Sequence, residues 1–134
     1  MLGEQIFEES GQITLQRVLP SAGPLPVIEA SFVTTGTIRG IEYRNTGTFN
    51  AVAQPDGTLR GDGQGFSTTV DGDMLTWTGN GVGRPSEGGA VSWRGVFYNQ
   101  TASEQLASLN GMAVIFEFDV DAEGNISSKS WEWS

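Results

Sequence analysis

The sequence predicts an all-β chain closed into an antiparallel up-and-down β-barrel of about eight strands. Three observations carry that prediction. From Gly36 to Tyr98 the chain is a succession of long segments with a two-residue period, joined by turn residues. Glycine is abundant, 19 of 134 residues, with no G-X-Y period, as expected of many turns and close backbone approaches. The segments reach about ten residues or more against a usual five or six, and a sheet that wide and twisted closes to remove its edges. A two-sheet sandwich is the alternative.

Taken in order, the elements read as follows. A short apolar-polar stretch (Gln5, Ile6, Phe7) precedes a half-buried strand in which Ile13, Leu15 and Leu19 share a face. Pro20 to Pro26 holds three prolines and is a loop. Residues 27–38 alternate Ile28, Ala30, Phe32, Thr34, Gly36 and Ile38 against polar neighbours, and Gly40 reverses the chain into 41–53. Pro55-Asp56-Gly57 is a turn. Residues 58–70 make a weaker strand with Gly61, Gly63 and Gly65 on one face. Asp71-Gly72 predicts a hairpin with a type I′ turn, which leads into 73–84 with Leu75, Trp77 and three glycines together. Residues 90–99 place Val91, Trp93, Gly95 and Phe97 on one face. Thr101-Ala-Ser-Glu104 matches a capping box and Asn110-Gly111 a helix stop, so one short helix is predicted near residues 102–109. Residues 112–120 are the clearest strand, and 126–133 close the chain with Trp131 and Trp133 on one face. Length and continuity give a single domain, residues 1–134. Gly36-Thr-Ile-Arg-Gly40 echoes Gly57-Thr-Leu-Arg-Gly61, which is shared hairpin grammar rather than a functional repeat.

Composition excludes more than it proposes. Sixteen acidic residues face seven basic ones, for a formal charge of -9. With no basic patch, neither a nucleic-acid backbone nor an anionic membrane is an expected partner. There is no Cys and no His, so disulfides, thiolate nucleophiles, His-ligated zinc and the Ser-His-Asp triad are all excluded. The N-terminal stretch is too polar and acidic for a signal peptide and no apolar run approaches a membrane span, which makes the cytoplasm the expected location. Asn99-Gln-Thr101 and Asn125-Ile-Ser127 are then chance matches to the glycosylation pattern.

No cofactor or metal is expected. Gly79-Asn-Gly81-Val-Gly83-Arg84 lacks the Lys-Ser/Thr and the following helix of a phosphate loop. Asp71, Asp73, Asp121 and Glu123 lie in turns without the ligand set of a calcium loop. Glu117 and Asp119 read as a solvated pair opposite Arg94. Lys129 and Arg17 fall formally on apolar faces, where a buried cation would need a partner. What remains is a set of rings sharing the apolar face with the glycines of neighbouring strands. Either the rings cover the glycines and the interior packs solid, or they line a pocket for a small hydrophobic ligand. The ligand-binding candidates are Tyr43, Trp77, Trp93, Phe97, Phe116 and Trp131.

The segments GTIRGIEYRNTGTF, PDGTLRGDGQG, DGDMLTWTGNGVGR, VSWRGVFY and FEFDVDAEGNISSKSWEW resemble a bacterial family of small uncharacterised barrel proteins, over most of residues 31–133. That family is similar in fold to allene oxide cyclase and, more remotely, to the calycins. The resemblance implies a closed barrel and a homo-oligomer. The cyclases use a glutamate in an apolar cavity; it has no evident counterpart here, since the register turns Glu117 outward. Three functions follow: a non-enzymatic binder of a small hydrophobic molecule, a lyase or isomerase with a buried carboxylate, or a structural module presenting Phe66, Arg94 and Tyr98 on its outer face. Catalysis requires an interior Asp or Glu.

Overall fold

The computed structural model describes residues 1–134 and shows eight antiparallel strands closed into one barrel. They are β1 (Leu2–Leu19), β2 (Val27–Ile38), β3 (Ile41–Ala53), β4 (Leu59–Thr69), β5 (Met74–Pro85), β6 (Val91–Thr101), β7 (Val114–Val120) and β8 (Asn125–Trp133). Each pairs with the next in sequence, and β8 returns to pair with β1. The up-and-down barrel is therefore as the alternation predicts. No helix is long and apolar enough to cross a membrane.

The type I′ turn lies elsewhere than expected. Both central residues of the β2–β3 hairpin, Arg39 and Gly40, have positive φ (48° and 84°), the signature of that turn. At Asp71-Gly72 only the glycine does, with φ 88°. There the Thr69 carbonyl accepts from the Gly72 amide and the Thr69 hydroxyl accepts from the Asp73 amide, so a wider loop joins β4 to β5.

The two N-terminal segments are one strand. β1 runs unbroken for 18 residues, and its pairing shifts between Ile13, opposite Phe32, and Leu15, opposite Ser31. That bulge changes which alternate residues face inward. Ile13 stays with the interior Phe32, whereas Leu15 is turned out and is 62% exposed. The expected common face of Ile13 and Leu15 is thus broken.

The helix near residues 102–109 does not form; only a single 3-10 turn, Ala107–Leu109, is present. Thr101 still belongs to β6, opposite Leu75. Its hydroxyl donates to the Met74 carbonyl and accepts the Ser103 amide, so it is committed before any helix starts. The Asn110 side chain then bonds both the amide and the carbonyl of Thr101, drawing the ends of the segment together. The residues between become a plug. Leu106 and Leu109 are buried with Ile6, Phe7, Ile38, Tyr43, Leu75 and Val114, closing that end of the barrel.

The interior is organised by glycines facing rings. Registers place Gly47 opposite Phe32, Gly65 opposite Trp77, Gly79 opposite Phe97, Gly83 opposite Trp93 and Gly95 opposite Phe116. A methyl group added at Gly83 would lie 3.0 Å from the Trp93 ring, and one at Gly47 would be 2.6 Å from Trp77. The rings occupy space that side chains on those strands would otherwise fill.

Candidate functional site

The rings do not fill the barrel. A cavity of about 100 Å³ remains, walled by Phe7, Phe32, Tyr43, Phe49, Trp77, Trp93, Phe97, Phe116 and Phe118 and by the glycines of β4 and β5. The rings meet mostly edge to face: Phe7 and Tyr43 at 81°, Phe49 and Trp93 at 71°, Trp77 and Phe97 at 69°. That is the arrangement their quadrupoles favour. Five of the six expected ligand-binding residues, Tyr43, Trp77, Trp93, Phe97 and Phe116, therefore lie on one wall system.

Trp131 does not join them. Ser130 pairs with Phe116 and Ser128 with Phe118, and both serines line the cavity. Alternation along the strand then turns Lys129 and Trp131 to the outer face, Trp131 opposite Ile115. The small serines leave room for the β7 rings. Lys129 and Arg17 are exposed, and Arg17 pairs with Glu29 at 2.9 Å. Arg94 reaches Asp119 at 2.9 Å and Glu117 at 3.8 Å on the outer face. These are surface pairs, as their spacing suggests. Phe66 and Tyr98 are exposed there too, at 46% and 51%.

One residue on the wall had no place in the sequence argument: Glu9. It keeps intermediate accessible surface as part of the cavity wall, but its carboxyl is packed round by protein atoms. Burial pushes this carboxyl above its ordinary value, and hydrogen bonds from Tyr43 and Thr34 only partly oppose that. The Tyr43 hydroxyl donates to Glu9 Oε1 at 2.5 Å. Burial, and then the neighbouring carboxylate, raises the phenol as well, which keeps Tyr43 the donor of the pair.

A directed polar chain stands behind Glu9. Trp77 Nε1 donates to Asn45 Oδ1 at 2.8 Å, and the Ser67 hydroxyl donates to the same oxygen at 3.2 Å. Asn45 Nδ2 donates to Thr34 Oγ1 at 3.3 Å. Having accepted there, the Thr34 hydroxyl directs its own proton to Glu9. The donors run one way and end on the carboxyl. Thr34, Asn45 and Ser67 are all buried, so the chain also satisfies polar groups that would be costly if left unpaired.

The enclosed carboxyl has a consequence for stability. With its folded value raised, Glu9 binds a proton more tightly in the folded chain than in the unfolded one. Its stabilising share is complete below the ordinary value of about 4.5 and is lost as pH rises through the folded value. Denaturant unfolding of wild type and Glu9→Gln across pH should show the variant gaining on wild type as pH rises. Asp56 and Asp121, both lowered by turn hydrogen bonds, act oppositely but equally in the two proteins. A difference constant into mildly alkaline pH would mean that Glu9 is solvated.

No protein-family model matches the chain, and no curated protein matches it in sequence. Solved structures do match its fold. A protein of unknown function from Clostridium acetobutylicum ATCC 824 superposes with a TM-score of 0.83 at 12% identity, covering 98% of each chain. A conserved protein of unknown function from Rhodopseudomonas palustris gives 0.82 at 11% identity, covering 99% of each. At such identities the likeness is one of architecture: the chain has the same barrel fold as these bacterial proteins of unknown function.

Proposed function

We propose that the barrel binds a small, mostly apolar molecule in its aromatic cavity and holds it against Glu9. The observation that carries this reading is an enclosed carboxyl at the wall of a ring-lined space that the chain's own side chains leave open. The volume sets the scale. A cavity of about 150 Å³ takes benzene, so about 100 Å³ suits a compact molecule of fewer atoms and not a lipid chain. The Trp77 indole N–H is a built-in reporter, since it bonds Asn45 on the same wall. Titration with a panel of compact alcohols, amines and short acids should shift its NMR signal together with that of Trp93. If no member of the panel moves either signal, the cavity is packing space and the proposal fails.

A second reading is favoured by the raised Glu9 carboxyl itself. A carboxylate in an apolar site, oriented by a phenol, is suited to take a proton from a bound molecule and return it at another atom. That is an isomerisation, the class suggested by the resemblance to allene oxide cyclase barrels. It needs no co-reactant. Deuterium uptake from solvent into a bound panel member, abolished in Glu9→Gln, would support it; binding without exchange would leave a binder alone.

A further inference from the structure

We infer that the molecule held in the barrel is a compact organic cation, an alkylammonium whose N–H groups meet Glu9 and whose alkyl groups lie on the ring faces. This rests on the binding reading above and adds the chemical class of the ligand.

Three observations lead there. The first is charge. None of the seven Lys and Arg residues lines the cavity. Asp62 also borders it, but Asp62 is exposed and belongs to the outward alternate set of β4. Glu9 is thus the only inward ionisable acid, and the Tyr43 phenol is held neutral beside it.

The second is a count of free donors and acceptors. An anion or a carbonyl compound needs donors on the wall, and most of these are already committed. The Trp77 indole and the Ser67 hydroxyl give their protons to Asn45, and Asn45 gives to Thr34. Tyr43 gives to Glu9, and Ser128 gives to the Glu117 carbonyl. The Ser130 hydroxyl and the Trp93 indole N–H keep their protons with no assigned acceptor. Asn99 Nδ2 is buried without a partner, but Asn99 is not on this wall. The acceptor side is the reverse. An ionised carboxylate offers about four lone-pair sites, and Tyr43 with Thr34 takes two of them, so the one charged group of the wall still has places for N–H donors.

The third is the wall itself. Aromatic faces attract ammonium groups through their quadrupoles, and rings gathered round a cation are a recurrent solution for alkylated ammonium ligands. A neutral apolar guest would use the rings but not the open acceptor sites of the carboxyl. A cation answers both features with one ligand.

The test compares two isosteric probes, tert-butylammonium chloride and tert-butanol, by NMR titration of the Trp77 and Trp93 indole signals in the intact protein. The cation should bind roughly tenfold tighter or more, the worth of a charge-assisted hydrogen bond with ring contact. Its affinity should rise from mildly acidic to mildly alkaline pH as Glu9 ionises, while that of tert-butanol stays flat. Glu9→Gln should erase the preference although the acidic outer surface, which attracts any cation, is unchanged. Glu117→Gln, which removes an acid from the outer face, should retain the preference, and the comparison of the two probes on wild type needs no variant, so a folding defect in one variant does not decide the matter. Equal or tighter binding of tert-butanol by wild type overturns the cation assignment and leaves the binding reading standing. If neither probe binds, both fall.

Discussion

Replacing Gly36 by alanine is expected to unfold the protein or to cost about 3 kcal/mol or more. Gly36 lies on β2 opposite Glu9, with the β1 backbone packed close against it. A Cβ at this position would overlap the Glu8 carbonyl oxygen and lie 2.7 Å from the Glu9 Cα and 2.8 Å from the Glu8 carbonyl carbon. All three are backbone atoms, so no rotamer change relieves the contact. The β1–β2 pairing must open, and Glu9 must move with it. Urea denaturation followed by circular dichroism checks this. A midpoint like that of wild type would show that β1 does not run as close to β2 as described.

Trp93→Ala is expected to be the next most damaging change, at about 3–5 kcal/mol. The ring is buried at 6% exposure and spans two strands, covering Gly61 and Gly83 and meeting Phe49 at 5.4 Å. Neither glycine has a side chain that could move in when the ring is removed. The void therefore stays open and joins the existing cavity, which places the cost at the upper end for a large-to-small change. Small neutral guests should at the same time bind more tightly per molecule folded, because the chamber grows. Denaturation by urea gives the first quantity and fluorescence of the remaining tryptophans under guest titration the second. A loss below about 1 kcal/mol would mean that the barrel collapses around the missing ring.

Much of this architecture is legible in the residues alone, because strand alternation and turn chemistry are local. Arg39-Gly40, Pro55-Asp56-Gly57 and Asp121 to Asn125 all bound strands where their composition says they should. Errors arise where a distant partner decides. Thr101 matches a capping box, but Met74 and Asn110 claim its polar groups first. Trp131 looks interior because it is aromatic, whereas its facing is set by Ser128 and Ser130 beside the rings of β7. Glu9 was hidden for the same reason: its environment comes from Tyr43, 34 residues later. A signal existed nonetheless. Phe7, Glu9, Gly11 and Ile13 share one strand face, so the apolar residues at its ends bracket a carboxylate.

The seam between β1 and β8 also constrains how the protein is made. Leu2 pairs with Trp133, and the Ser134 amide donates to the Met1 carbonyl, so β1 waits for β8 to be synthesised. Until β8 emerges, the first strand has an open side and the rings have no complete enclosure. Closure joins sites more than a hundred residues apart in the chain, a late and slow step in folding. Nascent chains of this barrel are therefore sticky throughout synthesis, and a chaperone that shields the N-terminal strand should raise their yield more than one acting on the finished product.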